Sequence, residues 1–356
     1  MTTPDSSADT PAGHLRVRPG SREPDGQPRA SNEVRPPRRI RQLGSIVASC
    51  SLLVIWAILI LIFGIIEPST FLTLANVRTI MGEQAITAIM ALAILLPIAA
   101  NTFDLSIGGA MGVGIVFVAV FMSDLHLNFL LAIVLTLLCG VLIGSVNSFV
   151  IIRLRVSSFI ATLATGTILD AIQQWPNGGN QIVSGISPSF TAAGQKTVFT
   201  IPLPFLYMLI IGAVLWYLLK YRQVGRYLYA TGSNADAARL AGVRTNRLIV
   251  VSLLVSAVVA TAAGIIFVMR IGASSVDAGD SYLLPAFAAA FLGATQFREG
   301  KVNVLGTLLA VYVLATGVTG LQLMGAPFWV ANLFNGCALI IAVALAVRAG
   351  QRRLLG

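Results

Sequence analysis

Few residues in this 356-residue chain are of a type and spacing that could do chemistry on a substrate. Its two histidines, His14 and His126, cannot frame a metal site, and no G-x-S-x-G or H-E-x-x-H run supplies an activated nucleophile or a zinc-binding helix. Gly300-Lys301 comes nearest to a phosphate loop, but Thr295 stands where its first glycine belongs and Val302 where a magnesium-binding hydroxyl belongs. Cys50, Cys139 and Cys337 each lie in an apolar run without C-x-x-C spacing and read as packing residues. No catalytic residue, metal site or cofactor is therefore expected on the chain, and no ATP hydrolysis.

What remains is hydrogen-bonding chemistry set inside apolar sequence. Asn147, Thr162, Thr165, Asp170, Gln173, Gln322, Asn332 and Asn335, together with Glu83, interrupt long hydrophobic runs. Hydroxyls and amides can replace the water around a neutral polyol without trapping it by charge. The same groups also join helices to one another, which is the plainer reading for any one of them. Asp104 and Ser106 sit between two apolar runs, where an acid is costly unless solvated, capped or paired. They either cap the helix that follows or form a bend in a translocation path; both roles are compatible.

Such residues need a frame of membrane-spanning helices, and the composition supplies one. Hydrophobic residues make up 56% of the chain and charged ones 11%, less than half the share usual in a soluble domain. Apolar runs fall at about 45–66, 83–101, 106–122, 127–152, 158–175, 203–219, 248–270, 284–297, 302–320 and 329–347. Most are long enough for a helix to cross about 30 Å of hydrocarbon. The fold class expected is all-α, a polytopic membrane bundle of about ten helices, with the lipid bilayer as its main solvent.

The net charge of +10 forms no block or aromatic-interleaved patch, so no nucleic-acid partner is expected. Lysine and arginine instead mark topology: with both termini in the cytoplasm, 21 fall on inner segments and three, Arg78, Lys196 and Arg270, on outer ones. Residues 1–44 hold seven prolines, eight arginines and five acids and read as a disordered cytoplasmic tail ahead of a membrane domain at 45–347. Residues 348–356 form a basic cytoplasmic tail.

Two loops are long enough to act. The outer one, 176–200, has a composition suited to turns facing water. The inner one, 220–247, carries helix signals: Ser233 or Asn234 as N-cap, Asp236 in the first turn and Gly242 as a left-handed stop, bounding about two turns over Ala235–Ala241. A helix that short is marginal in water alone, so a docking partner is its natural reason to exist. Ala235, Ala238 and Ala241 recur at spacings of three and predict a small-residue face for close approach, flanked by Arg239 and Arg244.

The block from Gly225 through Gly232, Asn234, Ala235, Asp236, Ala238, Arg239, Ala241 and Gly242 to Val243 closely resembles the cytoplasmic coupling segment of ABC importer permeases of the ribose, xylose and arabinose type. The Asp-Leu-Ser at 104–106, the Ser-Phe-Ile-Ala-Thr-Leu at 158–163 and the Leu-Gly-Thr at 305–307 resemble that family's other recurring patches, in the same order. The resemblance covers about 45–347. It departs at Thr102-Phe103, where the family usually has paired glycines, and at 293–301, which is less glycine-rich and more charged. It implies an inner-membrane import subunit for a small neutral solute, such as a monosaccharide. Its implied partners are an ABC ATPase subunit inside, a solute-binding protein outside, and a second permease copy or paralogue. The competing reading is an ion-coupled secondary transporter, for which Asp170, Glu83 and Asp104 are the available intramembrane acids.

Overall fold

A computed structural model describes residues 38–296 and 301–352. The chain divides into Met1–Gln42, of which only the beginning of the first helix is described, and Leu43–Gly356, which holds the bundle. Most of the expected tail, the last four residues and the departure at Phe297–Gly300 lie outside the described residues.

The elements in chain order are α1 (Arg38–Ile66), α2 (Pro68–Phe71), α3 (Leu74–Ala93), α4 (Leu95–Ala99), α5 (Ile107–Ser123), α6 (Phe129–Arg153), α7 (Ser158–Gln174) and α8 (Pro188–Gln195). A two-residue hairpin follows, β1 (Thr197–Val198) antiparallel to β2 (Ile201–Pro202). Then come α9 (Leu203–Tyr221), α10 (Gln223–Ser233), α11 (Ala235–Leu240), α12 (Thr245–Ile271), α13 (Ala278–Ala294), α14 (Val304–Leu323) and α15 (Trp329–Arg352). The molecule is an all-α membrane protein. Among the described residues, five helical stretches are long and apolar enough to cross a membrane: α3 with α4, α6, α9, α12 and α14. The other expected runs fall on α1, α5, α7, α13 and α15, and α1 starts at Arg38, within the stretch read as tail.

Residue types explain where helices start, stop and break. The side chains of Thr73, Asn128 and Asn303 accept from backbone N–H groups in the first turns of α3, α6 and α14, at 3.2, 2.9 and 2.7 Å. Gly272 ends α12 in the left-handed conformation, with φ of 77°. Pro97 lacks an N–H, so the carbonyl of Ala93 loses its helical donor, and the run breaks into α3 and α4 at Ile94. The 176–200 loop is more ordered than turn composition implied: α8 packs under α12, and Gln195 Nε2 donates to the Arg270 carbonyl at 3.1 Å.

Packing inverts the soluble pattern. On α6 the buried face is Ala132, Thr136, Gly140, Ile143, Gly144 and Asn147, while Leu130, Val134, Leu138, Leu142, Val146 and Phe149 point outward. Large apolar side chains face hydrocarbon and small ones let backbones meet. The centre is α5, buried along nearly all its length between α6, α7, α12 and α13. At its crossing with α12, a Cβ on Gly114 would sit 2.4 Å from the Thr261 carbonyl oxygen, so no side chain fits there.

Candidate translocation and coupling site

The segment between α4 and α5 is a buried polar place in the bundle, holding Thr102, Asp104 and Ser106. Asp104 is 1% exposed, and its Oδ1 accepts from the Ser106 N–H at 3.1 Å and the Ser106 hydroxyl at 2.6 Å. Asn147 on α6 donates from Nδ2 to Ser106 Oγ at 2.7 Å, across 41 residues of sequence. From α7, Thr162 Oγ1 accepts from the Leu105 N–H at 3.0 Å, and Ser158 Oγ accepts from the Phe103 N–H at 3.2 Å. The family-like patches at 104–106 and 158–163 are thus one structure: α6 and α7 supply partners for a short non-helical link. Ser256 on α12 approaches the same carboxylate without closing a bond, and Asp104 Oδ2 is left unpartnered. The arrangement holds the link into α5 by hydrogen bonding; Ser106 stands at the N-cap position of α5 but makes no side-chain cap bond to the helix.

The other path candidates separate into two groups. Thr165 is buried and donates to the carbonyl of Ala161 in its own helix at 3.0 Å. Gln173 is 1% exposed, seated against Gly112 of α5, and donates to Asp170 Oδ1 at 3.1 Å. These two, like Asn147 and Thr162, act between or along packed helices in this chain. Asp170 and Asn335 are half-buried, whereas Gln322 and Asn332 are exposed. Glu83 forms an ion pair with Arg270 at 3.2 Å. Among the described residues, no three His, Cys, Asp or Glu side chains are grouped so as to hold a metal.

The segment after α9 is built as two helices in place of one, since α10 precedes the expected short helix. Gly225 makes the reversal possible, because a Cβ there would lie 2.3 Å from the Leu219 carbonyl. Asn234 caps α11 through Oδ1, which accepts from the Ala237 N–H at 2.9 Å. At the other end Gly242 (φ 84°) donates to the Arg239 carbonyl and Val243 to the Ala238 carbonyl, both at 3.0 Å, a Schellman stop. Both ends of this six-residue helix are therefore satisfied locally.

Its faces differ from the spacing argument. Ala238 is only 7% exposed and turns toward its own chain, so the predicted alanine face is not a free surface. Ala235, Asp236, Arg239 and Ala241 are exposed, with Arg239 paired to Asp236 at 3.7 Å, and Leu240 projects outward at 91% exposure. Leu240 escaped the sequence reading because a lone leucine at a helix end reads as core. Behind this surface α10 grips the bundle twice. A Cβ on Gly232 would meet the carbonyl oxygen of Ala99 at 2.2 Å, and the Tyr229 hydroxyl donates to the Val302 carbonyl at 2.7 Å. Asn303 ties α13 to α14 by donating to the Gly293 and Gln296 carbonyls at 3.0 and 2.9 Å.

A bundle that faces hydrocarbon, with a polar link at its centre and a capped helix pair held at one end, has the build of a multi-pass transport subunit. The chain belongs to the family described as branched-chain amino acid transport system / permease component, which matches residues 76–343. The ribose import permease protein of Haemophilus influenzae is 32% identical over 300 residues, covering 83% of this chain and 92% of that protein. The ribose import permease protein of Escherichia coli K12 is 30% identical, with 80% and 89% covered, and the D-allose transport system permease protein of the same strain 29% identical, with 82% and 90% covered. No solved structure matches. The resemblance read at 225–243 therefore holds for the helical unit: the chain is a permease subunit of an ABC-type importer, not an enzyme. This places import by such a system ahead of an ion-coupled carrier.

Proposed function

We propose that this permease carries a small neutral solute, a monosaccharide, inward across the cytoplasmic membrane. A partner ATPase drives it from the cytoplasmic side, a binding protein delivers the solute outside, and a second permease copy or paralogue completes the path. The chain crosses ten times with both termini inside, in keeping with the 21 to three division of basic residues. In that orientation the 176–200 loop faces outward and the α10–α11 pair faces the ATPase. The sugar class rests on the relatives, which import ribose and allose, and on the neutral hydroxyl and amide side chains along the bundle.

The observation that carries the reading is Leu240. An apolar side chain 91% exposed on a helix capped at both ends is an anchor without a socket in its own chain. A cleft on the ATPase supplies one, and α10 relays its movement to Ala99 and to the α13–α14 hairpin. Leu240→Asp removes the anchor and should leave the fold unchanged. The expected result is loss of ATPase co-purification and of uptake, at normal expression and melting temperature. A Leu240→Asp permease that keeps its ATPase and still imports would remove α11 from the coupling role. Reporter fusions within 176–200 test the topology, and a cytoplasmic signal there would sink the ten-crossing arrangement.

A further inference from the structure

Between α3, α13, α14 and α15 lies a cavity of about 130 Å³, roughly ten times the room one water needs. Its polar lining consists of the amides of Gln84 and Asn335 and the hydroxyls of Thr87, Ser281 and Tyr282, and none of its lining residues is charged. Among the described residues, none of these five side chains makes a hydrogen bond to the rest of the chain. Pro285 borders the same space and has no N–H, so the carbonyl of Ser281 loses its regular helical donor. At membrane depth, freed backbone groups are tolerated where they line a water-filled cavity or find partners in protein. Five side chains without hydrogen bonds among the described residues, on a single neutral cavity, make a site that accepts and donates many hydrogen bonds.

We propose that this cavity binds one small neutral polyhydroxylated molecule, a sugar ring, as a stop within each subunit. The inference rests on the importer reading above. In the proposed orientation the cavity lies in the outer half of the membrane, and Glu83 of the Glu83–Arg270 ion pair directly precedes Gln84 on α3. Uncharged groups hold hydroxyls without the strong attraction that would stop release, which suits a site visited in transit.

The test uses the full importer complex in proteoliposomes with radiolabelled D-ribose and D-allose as probes. Gln84→Met and Asn335→Leu keep side-chain bulk and remove hydrogen bonds. Each should lower uptake at least ten-fold while the ATPase still co-purifies. Because either variant could fold poorly, a second measurement uses Ser281→Cys in a chain with Cys50, Cys139 and Cys337 changed to serine. Its alkylation by a membrane-impermeant thiol reagent should slow at least three-fold when the transported sugar is present. Wild-type uptake with no loss in the two variants, or alkylation indifferent to sugar, overturns the site and leaves the importer reading standing. If wild type imports neither sugar, the sugar-importer reading falls and the site with it.

Discussion

Two polar regions lie within this bundle, and they are built on opposite plans. Around Asp104 most polar groups are engaged inside the chain: Ser106, Asn147, Thr162 and Ser158 form a set of bonds between 2.6 and 3.2 Å, with Asp104 Oδ2, Asn147 Oδ1 and Ser256 Oγ left over. Around Ser281 and Gln84 the side chains face one cavity and bond to nothing among the described residues. The first plan holds helices in place, since burying a polar group is costly unless it is hydrogen-bonded. The second leaves affinity available for something that comes and goes. Polar residues in a membrane protein therefore divide by engagement more than by type, and amides and hydroxyls serve on both sides of the division.

The largest effect should come from opening the Asp104 network. Asp104→Leu removes the acceptor for both Ser106 bonds and frees the hydroxyl that Asn147 bonds to, so folded, monodisperse protein should be largely lost on size-exclusion chromatography in detergent. A well-behaved, fully thermostable variant would show that the network is not structural. Asn147→Ala cuts a single link and leaves Ser106 without its donor, with an expected cost of about 1–3 kcal/mol. Thermal melting should drop by several degrees, with uptake per folded molecule retained. In the open region the pattern reverses. Tyr282→Phe deletes a hydroxyl that bonds to nothing among the described residues, so stability should change by less than about 0.5 kcal/mol, while uptake falls about three-fold. Thr165→Val should be nearly silent in both assays, because its hydroxyl serves only the Ala161 carbonyl, which its own helix already engages.

How much of this was legible beforehand depends on the range of the interaction. Helices follow from apolar runs, and the ends of α11 follow from Asn234 and Gly242, because capping is decided within a few residues. The start of α3 at Leu74, nine residues before the apolar run, was hidden by the polar residues of its first turns. The bond from Asn147 to Ser106 spans 41 residues and depends on which faces of α5 and α6 meet, so composition could mark both residues but not join them. Spacings of three placed Ala238 on a common stripe, yet how α11 rolls against its own chain decides which side is free, and that put Leu240 outward. The Ser281 cavity was the least readable, since it needs four helices in place before its lining exists.

The meeting of α10 with α4 has a mechanical meaning. At Gly232 and Ala99 two main chains touch with no side chain between them, so there are no rotamers to turn aside when one is pushed. A joint made through leucines or lysines has slack, and a small displacement can be lost in it. This one has almost none: a shift of α10 by a fraction of an ångström must appear as a shift of the peptide after Ala99, five residues before Asp104. Precision of stroke is thereby set by backbone geometry, and even Gly232→Ala, the smallest enlargement the genetic code offers there, would offset the linkage before any ATP is bound.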